Sequence, residues 1–160
     1  MSTLLNIATR DIPLRKWSVA ALAAATLTVS LGPALAQQAK PSVTTYKSAS
    51  CGCCAKWVDH MRANGFEVTA HNVEDMDAVK EKYGVPAKLG SCHTSLVGGY
   101  VVEGHVPADV VKRLLAERPK VVGLSVPGMP ASAPGMDIPG LPYTIVGFDK
   151  AGKLTVYERR

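Results

Sequence analysis

The sequence predicts an α/β domain: a mixed central sheet with flanking helices and a C-terminal hairpin. Three observations predict it. Apolar residues recur at helical spacing over 54–64, alternate with polar ones over 66–71, and two short β-prone runs flank a turn signal near the C-terminus. With 160 residues, 47% hydrophobic and 19% charged, the chain has globular composition and room for one domain.

Residues 1–36 read as an address rather than as structure. Arg10, Arg15 and Lys16 form a positive segment, residues 17–31 an apolar core, and Gly32 and Pro33 break any helix before Ala34, Leu35 and Ala36, whose small outer residues suit signal peptidase. Residues 17–36 together approach the roughly 20 residues of a spanning helix, but Ser18, Thr26, Thr28, Ser30 and Pro33 weaken them as an anchor. A cleaved signal peptide over 1–36 is expected, and with it a periplasmic chain that starts at Gln37 and has no stable membrane insertion.

Residues 37–42 make a loose polar leader, and the domain proper spans 43–160. Residues 43–47 are β-prone and 48–53 supply turn residues. Over 54–64, Cys54, Trp57, Val58 and Met61 share one helical face and Lys56, Asp59, His60 and Arg62 the other, with Gly65 as a stop. Phe66, Val68 and Ala70 alternate with Glu67, Thr69 and His71 as in a half-buried strand. Asp75 is placed to cap a helix through Tyr83, closed by Gly84. Residues 94–97 and 100–103 form a hairpin around Gly98 and Gly99. Pro107 opens a helix over 108–118, apolar at Val110, Val111, Leu114 and Leu115, and Pro119 ends it. Residues 123–142 read as a long proline- and glycine-rich loop carrying Met129 and Met136, and loops of that length are more often functional than idle. Residues 143–148 and 154–158 flank a second hairpin turn. Strand, helix, strand, helix, hairpin and helix is the order of a thioredoxin-like fold, with the cysteine cluster where the first strand feeds the first helix.

Charge excludes one class of function. Of the formal +5, Arg10, Arg15 and Lys16 against Asp11 put +2 in the first 36 residues and leave +3 dispersed over the rest. No basic run is interleaved with aromatic residues, so no nucleic-acid partner is expected.

Four cysteines in an exported chain suggest disulfides. Three of them, Cys51, Cys53 and Cys54, lie within four residues, where a disulfide closes only a tiny loop and contributes little stability. Cys51 and Cys54 have the C-x-x-C spacing of thiol oxidoreductases, with Cys53 inserted between them. At a helix N-terminus the dipole and free N–H groups favour thiolate, and three thiolates on one turn form a chelating nest for a soft metal. Cys92, at the start of the third strand, places a fourth sulfur over that nest. Four convergent thiolates suit tetrahedral Zn(II), or Cu(I) where thioether and imidazole lie nearby, and spacing alone does not separate the two.

Cys51-Gly52-Cys53-Cys54 followed by Ala55, Lys56, Trp57 and Val58, then Gly84-Val85-Pro86, Ser91-Cys92-His93-Thr94, Gly98-Gly99-Tyr100, Glu103-Gly104-His105-Val106-Pro107 and Val126-Pro127-Gly128-Met129-Pro130 resemble the CopG-type family of periplasmic copper-resistance proteins, long catalogued as a domain of unknown function. The resemblance runs over about 43–148. It implies a thioredoxin-like fold, copper bound by the clustered cysteines with a further cysteine, and a role in copper tolerance that extends to interconversion of Cu(I) and Cu(II). Cys51, Cys53, Cys54, Cys92 and His105 match the family pattern.

The expected metal ligands are therefore Cys51, Cys53, Cys54, Cys92 and His105, with Met129 and Met136 as thioether donors, each following a glycine in a loop with no helix to pack. Because thiolates bridge metals, four sulfurs can hold more than one copper ion. The partners implied are copper ions and other periplasmic copper-handling proteins. Two rivals stand: a thiol-disulfide oxidoreductase using Cys51 and Cys54, and a zinc-stabilised binding module. Strand alternation makes His93 a weaker candidate than Cys92 to face the site and leaves open whether it is a ligand, while the turn at His105 suits a side chain reaching a site. His60 and His71 fall on polar faces and read as surface residues.

Overall fold

The computed structural model describes residues 39–160, so the expected signal peptide and its cleavage after Ala36 lie outside the described residues. The elements follow as β1 (Ser42–Lys47), α1 (Gly52–Ala63), β2 (Glu67–Asn72), α2 (Met76–Lys82), a 3₁₀ turn (Ala87–Leu89), β3 (His93–Val97), β4 (Tyr100–Glu103), α3 (Ala108–Glu117), β5 (Gly123–Ser125), β6 (Thr144–Phe148) and β7 (Leu154–Arg159). One mixed sheet runs in the order β2-β1-β3-β4-β5-β6-β7. β1 is parallel to β2 and antiparallel to β3, and β3 is antiparallel to β4. The mixed central sheet with flanking helices is as expected, and β6 and β7 supply the C-terminal hairpin. Among the described residues no helix is long and apolar enough to cross a membrane.

Both faces of the sheet are covered, and the pleat sorts side chains between them. Cys54, Trp57, Val58 and Met61 are the buried residues of α1, the set the helical spacing predicts. Trp57, Val58 and Met61 join Val43, Val97, Val102, Val110, Val111 and Leu114 in the larger core. Val101, Val85, Leu89 and Phe148 make a smaller core on the other face, beside Leu96. The hairpin between β3 and β4 turns on Gly98 and Gly99, at φ +54 and +88, the two positive values that a tight two-residue turn needs.

Three expectations are corrected. Residues 123–125 are not loop: β5 joins β4 in parallel and β6 antiparallel, so a weak glycine- and serine-containing segment is strand because both neighbours offer it a hydrogen-bonding edge. In β2 only Val68 is buried, since the strand lies at the sheet edge and Ala70 has nothing packed over it.

The third correction is His60, which is half-buried rather than a plain surface residue. Its Nε2 accepts a hydrogen bond from the Ala108 N–H at 3.1 Å, satisfying one of the free donors that open α3, where Pro107 supplies no side-chain cap. Burial lowers its pKa. The unfolded chain therefore binds the proton more readily, so this stabilisation is complete above the ordinary histidine value of about 6.5 and is lost as pH falls below it. His60→Ala is expected to cost about 1 kcal/mol at neutral pH and to flatten the stability–pH curve on the acid side, read from denaturant midpoints at several pH values. An unchanged midpoint and slope would show that water serves the Ala108 N–H equally well.

Candidate metal centre

β1 ends at Lys47, and the turn after it delivers Cys51 as the N-cap of α1, where its Sγ accepts from the Cys54 N–H at 3.3 Å. Helical geometry brings residues three apart to one side, and the Cα atoms of Cys51 and Cys54 stand 5.3 Å apart, inside the usual disulfide range. The structure joins these two cysteines and leaves Cys53 and Cys92 as free thiols. The sequence reading against close-neighbour disulfides addresses fold stability; the bond that forms here is the one the C-x-x-C spacing of Cys51 and Cys54 allows.

Cys53 Sγ lies 3.5 Å from Cys51 Sγ, and the Cys92 carbonyl is 3.8 Å from Cys54 Sγ. The sulfurs of Cys51, Cys53, Cys54 and Cys92 all lie within 4.8 Å of one another, so four residues from two segments 38 positions apart converge as the sequence predicts.

A second group shares Cys92. His105, fully buried between β4 and α3, sets Nε2 2.9 Å from Cys92 Sγ, while its Nδ1 is 2.7 Å from the Pro134 carbonyl. A carbonyl only accepts, so Nδ1 carries the hydrogen and Nε2 presents its lone pair to the thiol. His93 is also fully buried; its ring lies 4.5 Å from that of Trp57 and 4.9 Å from that of His105, with Nδ1 3.5 Å from Cys92 Sγ. The sequence leaves open whether His93 faces the site, and the structure brings its ring beside Cys92. Cys92 precedes β3 in a bend, so the alternation of the strand does not reach it.

The electrostatics follow from burial. Burial holds the His93 and His105 imidazoles neutral, His93 well below its usual range, and the neutral ring is the form that ligates a metal. Burial, and next the neighbouring Cys53, push the Cys92 thiol up to about 11. A metal ion at Cys92 must therefore displace a proton at neutral pH.

The long loop closes over the first turn of α1. The Pro134 carbonyl holds His105. A Cβ on Gly135 would stand 2.9 Å from both the Cys53 carbonyl oxygen and the Trp57 nitrogen, so only glycine allows this approach. Lys56 pairs with Asp137, and Ser91 Oγ donates to the Gly128 carbonyl. Met136 is half-buried against the larger core, whereas Met129 is 59% exposed. Of the two methionines, then, Met136 sits in the segment that meets α1 and Met129 stands in solvent.

Sequence reasoning missed the support beneath Cys92. Glu103 is fully buried; its Oε1 accepts from Lys80 Nζ and from the Ser91 N–H, each at 2.7 Å, and its Oε2 from the Thr94 hydroxyl at 2.6 Å. The signal was present: a carboxylate two residues after Val101 shares its face, opposite Tyr100 and Val102, and faces α2. Trp57 Nε1 donates to the Val106 carbonyl at 2.9 Å, tying α1 to the turn that carries His105.

The family described as "Protein of unknown function, DUF411" matches residues 89–136, which include Cys92, His93, His105, Met129 and Met136. No curated protein matches the chain. Two solved structures, copper resistance protein copG in form 1 and in form 2, are each 43% identical to it, with a TM-score of 0.71, over 76% of this chain and 98% of theirs. At that identity and coverage the chain belongs to the CopG copper-resistance family.

Proposed function

We propose that the chain is a periplasmic copper-binding protein that holds Cu(I) through Cys51, Cys53, Cys54 and Cys92, assisted by His105 and by the thioethers of Met129 and Met136. The observation that carries this reading is the convergence of four sulfurs within 4.8 Å. Thiolates are soft donors that suit Cu(I), and the solved relatives are copper resistance proteins. The four-sulfur set is available only when the disulfide is open, so loading requires two electrons from a reductant and four free thiols. Sulfurs this close can bridge, which allows more than one copper ion. A contribution to copper resistance, exchange with other periplasmic copper-handling proteins and interconversion of Cu(I) and Cu(II) complete the proposal.

The test is anaerobic reconstitution of the reduced chain with Cu(I) or with Zn(II), followed by metal analysis after dialysis against a competing chelator. Copper is expected to remain and zinc to be stripped. Retention of zinc with loss of copper would favour the zinc-stabilised module.

A second reading has one observation in its favour, the Cys51–Cys54 disulfide at the N-terminus of α1, which is the arrangement of a thiol-disulfide oxidoreductase.

Within the copper reading, thioethers are neutral and weaker donors than thiolates. Met129→Leu with Met136→Leu is expected to weaken Cu(I) retention while leaving copper able to bind, measured by competition with a chromophoric chelator. Unchanged affinity would reduce the loop to a cover.

A further inference from the structure

We propose that a groove at the turn end of the β3–β4 hairpin binds a short acidic segment of a protein partner, one that sets apolar side chains between its carboxylates. The groove contains none of the candidate metal ligands. Gly99 of the hairpin turn lines it, whereas Cys92 and Gly104 stand at the open end of the same hairpin.

Three observations carry it. The first is the shape and floor of the groove. Two cavities of about 540 and 520 Å³ share Val122, Asp149 and Lys150 and so join into one groove, each within the roughly 300–1,000 Å³ of ligand sites. Val101 of the smaller core and Val122, which packs against it, form an apolar floor, with Val121 half-buried beside them.

The second is the charge of the rim. Lys82, Lys120 and Lys150 come from three places in the fold: the end of α2, the link from α3 to β5 and the turn between β6 and β7. Among the described residues none of the three has a carboxylate within ion-pair distance, whereas Lys56, Arg62, Lys80, Arg113 and Arg160 each do. One acid, Asp149, shares the groove, and its Oδ1 already accepts from the Ala151 and Lys153 N–H groups at 2.9 Å.

The third is that the parts are set before anything binds. The two bonds to Asp149 fix the turn that carries Lys150. The Tyr100 hydroxyl donates to the Pro119 carbonyl at 3.1 Å, which fixes the chain just before Lys120. Lys82 Nζ lies 5.4 Å over the ring of Tyr83, whose hydroxyl donates to that of Tyr46. A site held in this way loses less conformational freedom when it is occupied.

The chemistry of the occupant follows. A positive rim attracts carboxylates, and an apolar floor beneath it favours side chains that leave water. A lipid surface is the poorer fit, because a protein meets a bilayer with protruding apolar side chains, and here the apolar atoms lie below the lysines. A compact anion also fits poorly. Lys120 lines one cavity, Lys82 the other and Lys150 both, so a chain with several carboxylates meets all three cations and a single small anion does not.

The test titrates the chain with an end-blocked peptide of alternating glutamate and leucine, read by amide chemical shifts. Shifts are expected at 99–101, 120–122 and 149–151, with saturation below about 1 mM peptide. Matched peptides with glutamine for glutamate, or serine for leucine, are each expected to bind at least about tenfold more weakly. Lys120→Glu with Lys150→Glu is expected to weaken binding of the first peptide by at least about tenfold. Lys112→Glu with Arg159→Glu makes the same change in net charge at exposed positions elsewhere and is expected to bind as the wild type does. Ala151→Trp adds bulk at an exposed position lining the groove, leaves every charge in place and is expected to weaken binding, with thermal unfolding as the check that each variant is folded. An equal loss in Lys112→Glu with Arg159→Glu would reduce the attraction to diffuse charge. That result, undiminished binding by folded Ala151→Trp, no saturable binding, or capture by phosphatidylglycerol vesicles in place of the peptide would overturn the proposal.

Discussion

Lys80→Met is expected to lower the unfolding free energy of the metal-free chain by about 3–5 kcal/mol, the cost of removing one partner from a buried ion pair. The Glu103 side chain is 0% exposed and that of Lys80 15%. Without the ammonium, the carboxylate keeps only the Ser91 N–H and the Thr94 hydroxyl, two neutral donors, in a place water does not reach. The effect reaches the candidate metal centre because Ser91 and Thr94 bracket Cys92 and His93: the carboxylate fixes both sides of the segment that carries them. Chemical denaturation reads the loss, and metal titration of the still-folded variant reads the displacement of Cys92. A change below about 1 kcal/mol, the size of an exposed pair, would show that Glu103 does not depend on Lys80.

Cys92→Ser is expected to reduce the Cu(I) affinity of the reduced chain at least about tenfold, since even a change in an outer-shell partner costs about 10–100-fold. Cys92 is the one sulfur contributed from outside α1 and its cap, and it alone belongs to both donor groups. Serine replaces a soft thiolate with a hard oxygen that a soft ion binds poorly. The dithiol reading expects the reverse, because exchange needs only an attacking thiolate and its resolving partner, Cys51 and Cys54. Copper content and disulfide reduction measured on one preparation separate the two. Full copper loading in the variant, together with vigorous reductase activity in both forms, would favour the oxidoreductase.

What was legible in the sequence was what local pattern controls. The face of α1, the cap at Asp75, the Gly98–Gly99 turn and the last hairpin all follow from spacing and turn chemistry, and the structure has each of them. The convergence of Cys92 on Cys51, Cys53 and Cys54 was legible because the element order places the start of the third strand opposite the first helix. What was hidden depends on partners distant in sequence. β5 is strand only because β4 and β6 flank it, and His60 matters only because Pro107 leaves the start of α3 uncapped. His93 was left open because strand alternation does not reach Cys92, one residue before the strand, and Glu103 was passed over because its partner lies on α2, 23 residues away.

The most direct test of the central claim, that the cysteine sulfurs hold the copper, is copper K-edge X-ray absorption on the reduced chain loaded anaerobically with Cu(I). A sulfur-dominated first shell is expected, with edge features of the monovalent ion and with fewer sulfur scatterers per copper, or less copper bound, in Cys92→Ser. A first shell dominated by nitrogen or oxygen, or one unchanged in both composition and copper content when Cys92 is replaced, would contradict it.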